Sequence, residues 1–443
     1  MRQPKSNREA AAAGRVAARG RPLRVPIHFL VTAIVFFALG TGAAPWAVAK
    51  LADYFYQLSV LAWVHTFTLG WITPALLGLM YHYAPSRRAG NVRFSRLATV
   101  QFVAYFLGAS GVIAHFMLGS WDGVWMAGVV VALSVVLFAI IVAPWMAPGF
   151  GRGAAQTGLL IALFFLLGAA LLGALLAFDK DRNLLAGTVL RNLSAHAHLA
   201  ALGWVTLALC AVSYGFVTGM VARNAPVPRS ATVQIFALAL TTAGLFASLI
   251  AAVGRVGFWA VAVAAVLIAY AISFRRFSGL RSMPDDPALR HLWAGLLFLL
   301  LAVAGGVYLA LAGVGRPLDA RLAGAYGVAG LLGWISNFII AISYQLCGEM
   351  VARVRTAANW PYLSAQELSV CAGRSIVFYA FNAGVLVMAA GLATDQIAVA
   401  QSGACLLAVG GILYSAATGW TLSFAYRRGA APASDRLLRA AQD

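Results

Sequence analysis

The sequence predicts an all-α polytopic membrane protein: twelve transmembrane helices in three tandem four-helix pseudo-repeats, with both termini cytoplasmic. Three observations predict it. Of the 443 residues, 62% are hydrophobic and only 10% charged, whereas a soluble domain carries roughly 45–50% apolar and about 25% charged residues. The apolar residues gather in runs of about the 20 that a helix needs to cross the hydrocarbon core. The basic residues collect in alternate connections, as they do on the cytoplasmic side of membrane proteins. Composition thereby excludes a soluble globular enzyme, a disordered chain and a disulfide-rich secreted module.

In chain order, a basic Arg/Ala-rich arm (residues 1–25) leads straight into a full-length span, without the pattern of a cleavable signal peptide. Apolar runs then begin near Pro26, Gln57, Ala98, Val124, Gln156, Asn192, Ala231, Phe258, His291, Leu322, Ser375 and Ile397. They group as residues 26–150, 151–285 and 286–425, four spans each, before a cytoplasmic tail at 426–443. Cys210, Cys347, Cys371 and Cys405 show no CxxC spacing and read as small buried residues.

The net charge of +19 comes from 32 Lys and Arg against 13 Asp and Glu. With the N-terminus inside, 25 of the 32 fall in cytoplasmic segments, the asymmetry of the positive-inside rule. The arm is then placed to touch anionic lipid headgroups, and nucleic acid is not needed to explain the charge.

Three segments share one frame: His65-x3-Leu69-Gly70-Trp71, His198-x3-Leu202-Gly203-Trp204 and Val328-x3-Leu332-Gly333-Trp334. Each has a tyrosine ten residues after the tryptophan: Tyr81, Tyr214 and Tyr344. The tryptophans lie 133 and 130 residues apart, a period of four helices. Ala98-Thr99-Val100-Gln101 returns as Ala231-Thr232-Val233-Gln234 at the same place in the second unit. Gly70, Trp71, Gly203, Trp204, Gly333 and Trp334 read as a packing motif, glycine allowing close helix approach and the indole filling the space beside it.

The seven histidines sort by depth. His65, His196 and His198 fall early in the second and sixth spans, and His115 near the end of the third, so the four share one level in the outer half of the membrane. His28, His82 and His291 fall at cytoplasmic helix ends, where they read as interfacial or paired with headgroups. Ionisable residues inside a membrane mark function unless satisfied locally, and neutral imidazole is the usual ligand of metals and of heme iron. His196 and His198 point about 200° apart at 3.6 residues per turn, so one helix serves two sites and not one site with both rings.

On these residues the chain resembles subunit I of the heme–copper oxygen reductases, most closely the C-type branch that takes electrons from cytochrome c. The likeness rests on Ser194-Ala195-His196-Ala197-His198-Leu199-Ala200-Ala201-Leu202-Gly203-Trp204, on Gly78-Leu79-Met80-Tyr81-His82-Tyr83-Ala84-Pro85 followed by Arg96-Leu97, and on the 50 residues between His65 and His115. It covers about residues 57–220, plus the repeat plan. The resemblance implies three four-helix arcs, b-type heme held by His65, His196 or His198, and copper or iron at His65 and His115. It also implies a bacterial-type inner membrane, a cytochrome c donor or further subunits, and O2 or NO as the small ligand. Departures are Phe116 where a second adjacent histidine is expected, Val328 at the third repeat position, and the His-x-His helix standing sixth and not tenth.

Two site arrangements follow. In one, His65 and His198 clamp a heme from both faces; in the other, His196 holds a five-coordinate heme with a metal on His65 and His115 opposite. Three functions compete: an oxidoreductase of the cytochrome c oxidase or nitric oxide reductase type; a non-catalytic protein that responds to or handles NO, heme or copper; and a transporter or structural membrane protein without cofactor.

Overall fold

The computed structural model describes residues 24–83, 92–180, 182–220, 226–251, 254–280, 282–312, 317–361, 363, 368 and 373–428. Most of the basic arm, the end of the tail and Cys371 lie outside these residues. Among the described residues there is helix and no strand. Twelve helices are long and apolar enough to cross a membrane: α1 Val25–Gly42, α2 Leu58–His82, α3 Ser95–Leu118, α4 Trp121–Gly149, α5 Ala154–Asp179, α6 Val189–Met220, α7 Arg229–Ala251, α8 Val256–Ser278, α9 Pro287–Ala312, α10 Arg321–Ala357, α11 Arg374–Ala393 and α12 Ile397–Ser423. Their length and composition are those of a multi-pass membrane protein. A short helix, Ala44–Asp53, joins α1 to α2; the sequence reading did not anticipate it.

Local chemistry sets the helix ends. The Ser120 hydroxyl accepts from Gly123 N–H at the start of α4, and Thr188 does the same for Arg191 N–H at the start of α6, each satisfying one of the N–H groups a helix start leaves open. α8 stops where Gly279 turns left-handed at φ 75°, a conformation that costs glycine nothing.

Three helices form the interior. In α2, α6 and α10, 78%, 78% and 72% of the apolar stretch is buried, against 28–61% in the other nine. The outer helices turn residues such as Phe164, Val233, Leu240 and Leu311 outward, which suits contact with lipid chains. Neighbours pack in sequence around the interior, and α12 returns against α1. The closest pair is α11 with α12, where a Cβ on Gly384 or Gly391 would meet the backbone of Leu407 or Ala400. Small residues at such a crossing let two backbones approach.

Each inner helix widens to a π-helix at its Leu-Gly-Trp: Thr68–Ile72, Leu199–Thr206 and Ala329–Ser336. The glycine explains the close packing there. A Cβ on Gly70, Gly203 or Gly333 would collide with Phe36, Phe165 or Phe298, each on the preceding helix. The tryptophans do more than fill space. Trp71 Nε1 donates to Ser336 Oγ, Trp204 Nε1 to Thr73 Oγ1 and Trp334 Nε1 to Thr206 Oγ1, each at 3.2 Å. Every acceptor stands two residues after the tryptophan of another inner helix, so the three bonds close a ring.

Two expectations are corrected. His291 is fully buried and its Nδ1 lies 2.6 Å from Asn337 Oδ1; it is an interior group and not an interfacial one. Cys405 is exposed on α12, while Cys210 and Cys347 are buried.

Candidate heme and metal site

The site lies within one turn before the π-helices, in the first halves of α2, α6 and α10. His65 Nδ1 lies 2.7 Å from the carbonyl of Leu61, and His198 Nδ1 lies 2.7 Å from the carbonyl of Ser194. A carbonyl can only accept, so in both rings Nδ1 carries the proton and Nε2 keeps a lone pair. Metal-binding histidines adopt this arrangement, a backbone acceptor fixing both tautomer and ring orientation. The two histidines occupy the same place in the Leu-Gly-Trp frame, six residues before the tryptophan, and they repeat the same bond.

His196 differs. Its ring leans on Ala169 and Gly173 of α5, and its Nδ1 is buried without a hydrogen-bond partner. A buried, unsatisfied ring nitrogen costs about 1–3 kcal/mol unless something binds it. A Cβ at position 173 would press into the imidazole, so the glycine gives the ring its room.

The pairing follows the order of the inner helices. His65 of α2 is near enough to His196 of α6 for their charges to interact. His198 of α6 lies against Tyr326 of α10, with Nε2 3.4 Å from the phenol oxygen and the rings stacked at 20°. In each case a residue six before one tryptophan meets a residue eight before the next. All three histidines retain some accessible surface although protein surrounds each ring.

His115 and His65 are not brought together as ligands. The face of α3 turned to His65 carries Phe116, whose ring centroid is 4.9 Å from the imidazole. His115 points to α4, where a Cβ on Gly123 would overlap its ring, and its Nδ1 is buried and unpartnered. Among the described residues, no three His, Cys, Asp or Glu side chains are close enough to hold one metal ion. The donor set suits a cofactor that brings most of its own ligands, as heme does, better than a metal caged by protein alone. On that count imidazoles at His65, His196 and His198 are of the donor type heme takes, with His198 stacked on Tyr326.

A cavity of about 250 Å³ lies elsewhere, lined by Tyr54, Phe55, Gly324 and the Arg321–Asp395 ion pair among others. It holds none of these histidines. Sequence reasoning missed Tyr326, Gly173 and the hydroxyl acceptors Thr73, Thr206 and Ser336. The signal was present: the residue two after each tryptophan is Thr, Thr and Ser, and the residue eight before is Trp63, His196 and Tyr326.

No protein-family model matches the chain, and no curated protein matches it significantly.

Proposed function

We propose that this is a heme-binding protein of a bacterial-type inner membrane, related to subunit I of the heme–copper oxygen reductases, acting in redox chemistry with O2 or NO as its ligand. One observation carries the reading: on α2 and α6, His65 and His198 hold the same Nδ1–carbonyl bond that leaves Nε2 turned away from the backbone, and between them in the sequence His196 keeps a buried Nδ1 without a partner. On this reading the three inner helices belong to three four-helix repeats, and both termini face the cytoplasm, an orientation supported by the positive-inside bias, since it puts 25 of the 32 basic residues inside.

Bound at α2 and α6, a b-type heme would supply an iron able to take up electrons and a diatomic ligand. His65 and His196 would hold it from two helices. The Leu61 carbonyl keeps His65 Nδ1 protonated and its Nε2 free. Phe116 covers the outer edge of the His65 ring, and Gly173 leaves space for His196. His198 and Tyr326 form a second position, where the phenol oxygen at 3.4 Å from Nε2 stands where a metal or ligand would have to enter. Electrons would come from a cytochrome c or from further subunits.

Phe116 and Val328 stand where additional ligands would complete a turnover site, and they favour a second reading. In it the same pocket binds heme, copper or NO for sensing or handling, without consuming O2 or NO.

The test is an optical spectrum with metal analysis on protein purified from heme-replete cells. A Soret band with stoichiometric iron is expected, lost in His65→Ala and His196→Ala. A colourless, iron-free wild type would end the proposal. Bound heme without O2 or NO consumption would select the second reading.

A further inference from the structure

The third unit carries a polar cluster that the histidine site does not use. In α2 and α6, the tyrosine ten residues after the tryptophan is satisfied by a glutamine: Tyr81 donates to Gln101 Oε1 and Tyr214 to Gln234 Oε1, each at 3.1 Å. Its counterpart in α10, Tyr344, has a buried hydroxyl with no partner. The guanidinium of Arg374, the first residue of α11, lies over the Tyr344 ring at 4.3 Å, and its Nε is likewise buried and unpartnered. The third member is His291 of α9, fully buried, with its ring centroid 5.9 Å from that of Tyr344 and its Nε2 unpartnered. Arg374 and His291 thus both pack against the Tyr344 ring, and each of the three side chains, on three helices, carries a buried polar atom without a partner.

The bonding of His291 limits what can sit there. Asn337 donates through Nδ2 to Gly333 O at 2.6 Å and to Asn382 Oδ1 at 2.9 Å. Its Oδ1 therefore faces His291, whose Nδ1 must be the donor across the 2.6 Å contact. Nε2, on the far edge of the ring, is then a lone pair unless a second proton arrives. The surroundings are cationic. Arg290 of α9 reaches Ser375 of α11 through NH1 at 3.4 Å, and the N-cap of α11 is Gly373, which has no side chain to cap the helix, so the positive end of the helix dipole lies at Arg374. Among the described residues, the other titratable neighbours are Cys347 on α10 and Tyr414 on α12, and neither brings negative charge near neutral pH.

We propose that Arg374, Tyr344 and His291 bind one small monovalent anion, of halide or nitrate size, together with one proton. Arg374 and the Tyr344 hydroxyl donate to the anion. The accompanying proton goes to His291 Nε2, turning the lone pair into a third donor while Nδ1 keeps its bond to Asn337. The site is separate from the histidines of α2 and α6, so its test does not depend on heme.

The experiment follows thermal unfolding of the full chain in detergent while gluconate is replaced by bromide or nitrate at constant ionic strength. A pH electrode records proton uptake in a weakly buffered sample. The wild-type midpoint should rise and saturate with bromide or nitrate, with about one proton taken up per anion. Arg374→Gln and Tyr344→Phe should each need roughly tenfold more anion, the effect of losing one hydrogen bond to a charged group. Arg276→Gln, on the exposed end of α8, should match wild type. Should Arg374→Gln fail to fold, Tyr344→Phe, which loses one hydroxyl, decides. The proposal falls if gluconate, bromide and nitrate act alike on the wild type, meaning that the three atoms hold only water. It also falls if both variants keep the wild-type response, or if anion binds without proton uptake.

Discussion

The phenol oxygen of Tyr326 on α10 lies 3.4 Å from Nε2 of His198 on α6, with the two rings stacked. Nδ1 of the same imidazole is held by Ser194 O, so the tyrosine occupies the one direction in which His198 could bind a metal or a diatomic ligand. Replacing Tyr326 by Phe removes the hydroxyl and keeps the ring. If the chain binds heme through His65 and His196 as proposed, Tyr326→Phe should retain the Soret band. It should change the extent or rate of carbon monoxide binding after reduction, read by difference spectroscopy. Unchanged carbon monoxide kinetics would remove Tyr326 from the site.

The ring of indole bonds makes a thermodynamic prediction. Trp204→Phe and Thr73→Val break the same 3.2 Å hydrogen bond, and a buried bond of this kind contributes about 0.5–1.5 kcal/mol net. Each substitution should lower stability by an amount of that order or somewhat more, since each also leaves a partner unsatisfied. The double variant should cost clearly less than the sum, because residues in contact couple. Reversible unfolding in mixed detergent measures all three. Strict additivity would mean that the ring does not act as a bonded unit.

Much of this architecture could be read before the structure. Run length and charge placed all twelve helices, and observed starts such as Val25, Leu58 and Ile397 lie within a residue of the expected ones. The repeat of Leu-Gly-Trp marked a packing motif, and its glycines do make room, for Phe36, Phe165 and Phe298, but that its three helices form the interior was not read from it. Side-chain direction was not legible. His115 and Phe116 are neighbours in sequence, and one helical step decides that Phe116 and not His115 meets His65. The frame of the repeat could have paired His65 with His196 and His198 with Tyr326, but only with the angle between inner helices in hand. His291 escaped for a different reason. Nothing near it in sequence announces Asn337, 46 residues away, so a buried partner looked like an interfacial residue.

The glycine of each Leu-Gly-Trp predicts a rescue. A Cβ at position 203 would meet the Phe165 ring on α5, and overfilling a packed core costs about 1–3 kcal/mol. Gly203→Ala should therefore destabilise the chain, and Gly203→Leu should abolish monodisperse folded protein. Adding Phe165→Leu to Gly203→Ala should restore part of the loss. The check is size-exclusion profile and thermal midpoint in detergent. Failure of the second change to help would mean that the cost arises from the π-helical backbone and not from the Phe165 contact.

Sidedness can be tested without any cofactor. If the basic residues mark the cytoplasm, the left-handed turn at Asn183 between α5 and α6 faces outward and the exposed Arg276 at the end of α8 faces inward. A chain with its four native cysteines replaced should be labelled by a membrane-impermeant maleimide in intact cells when cysteine is placed at 183. The same chain with cysteine at 276 should react only after the cells are opened. The reverse pattern would invert the bundle and put His65, His196 and His198 in the cytoplasmic half. A periplasmic cytochrome could not then reach the heme, because the thickness of the membrane would separate donor from iron.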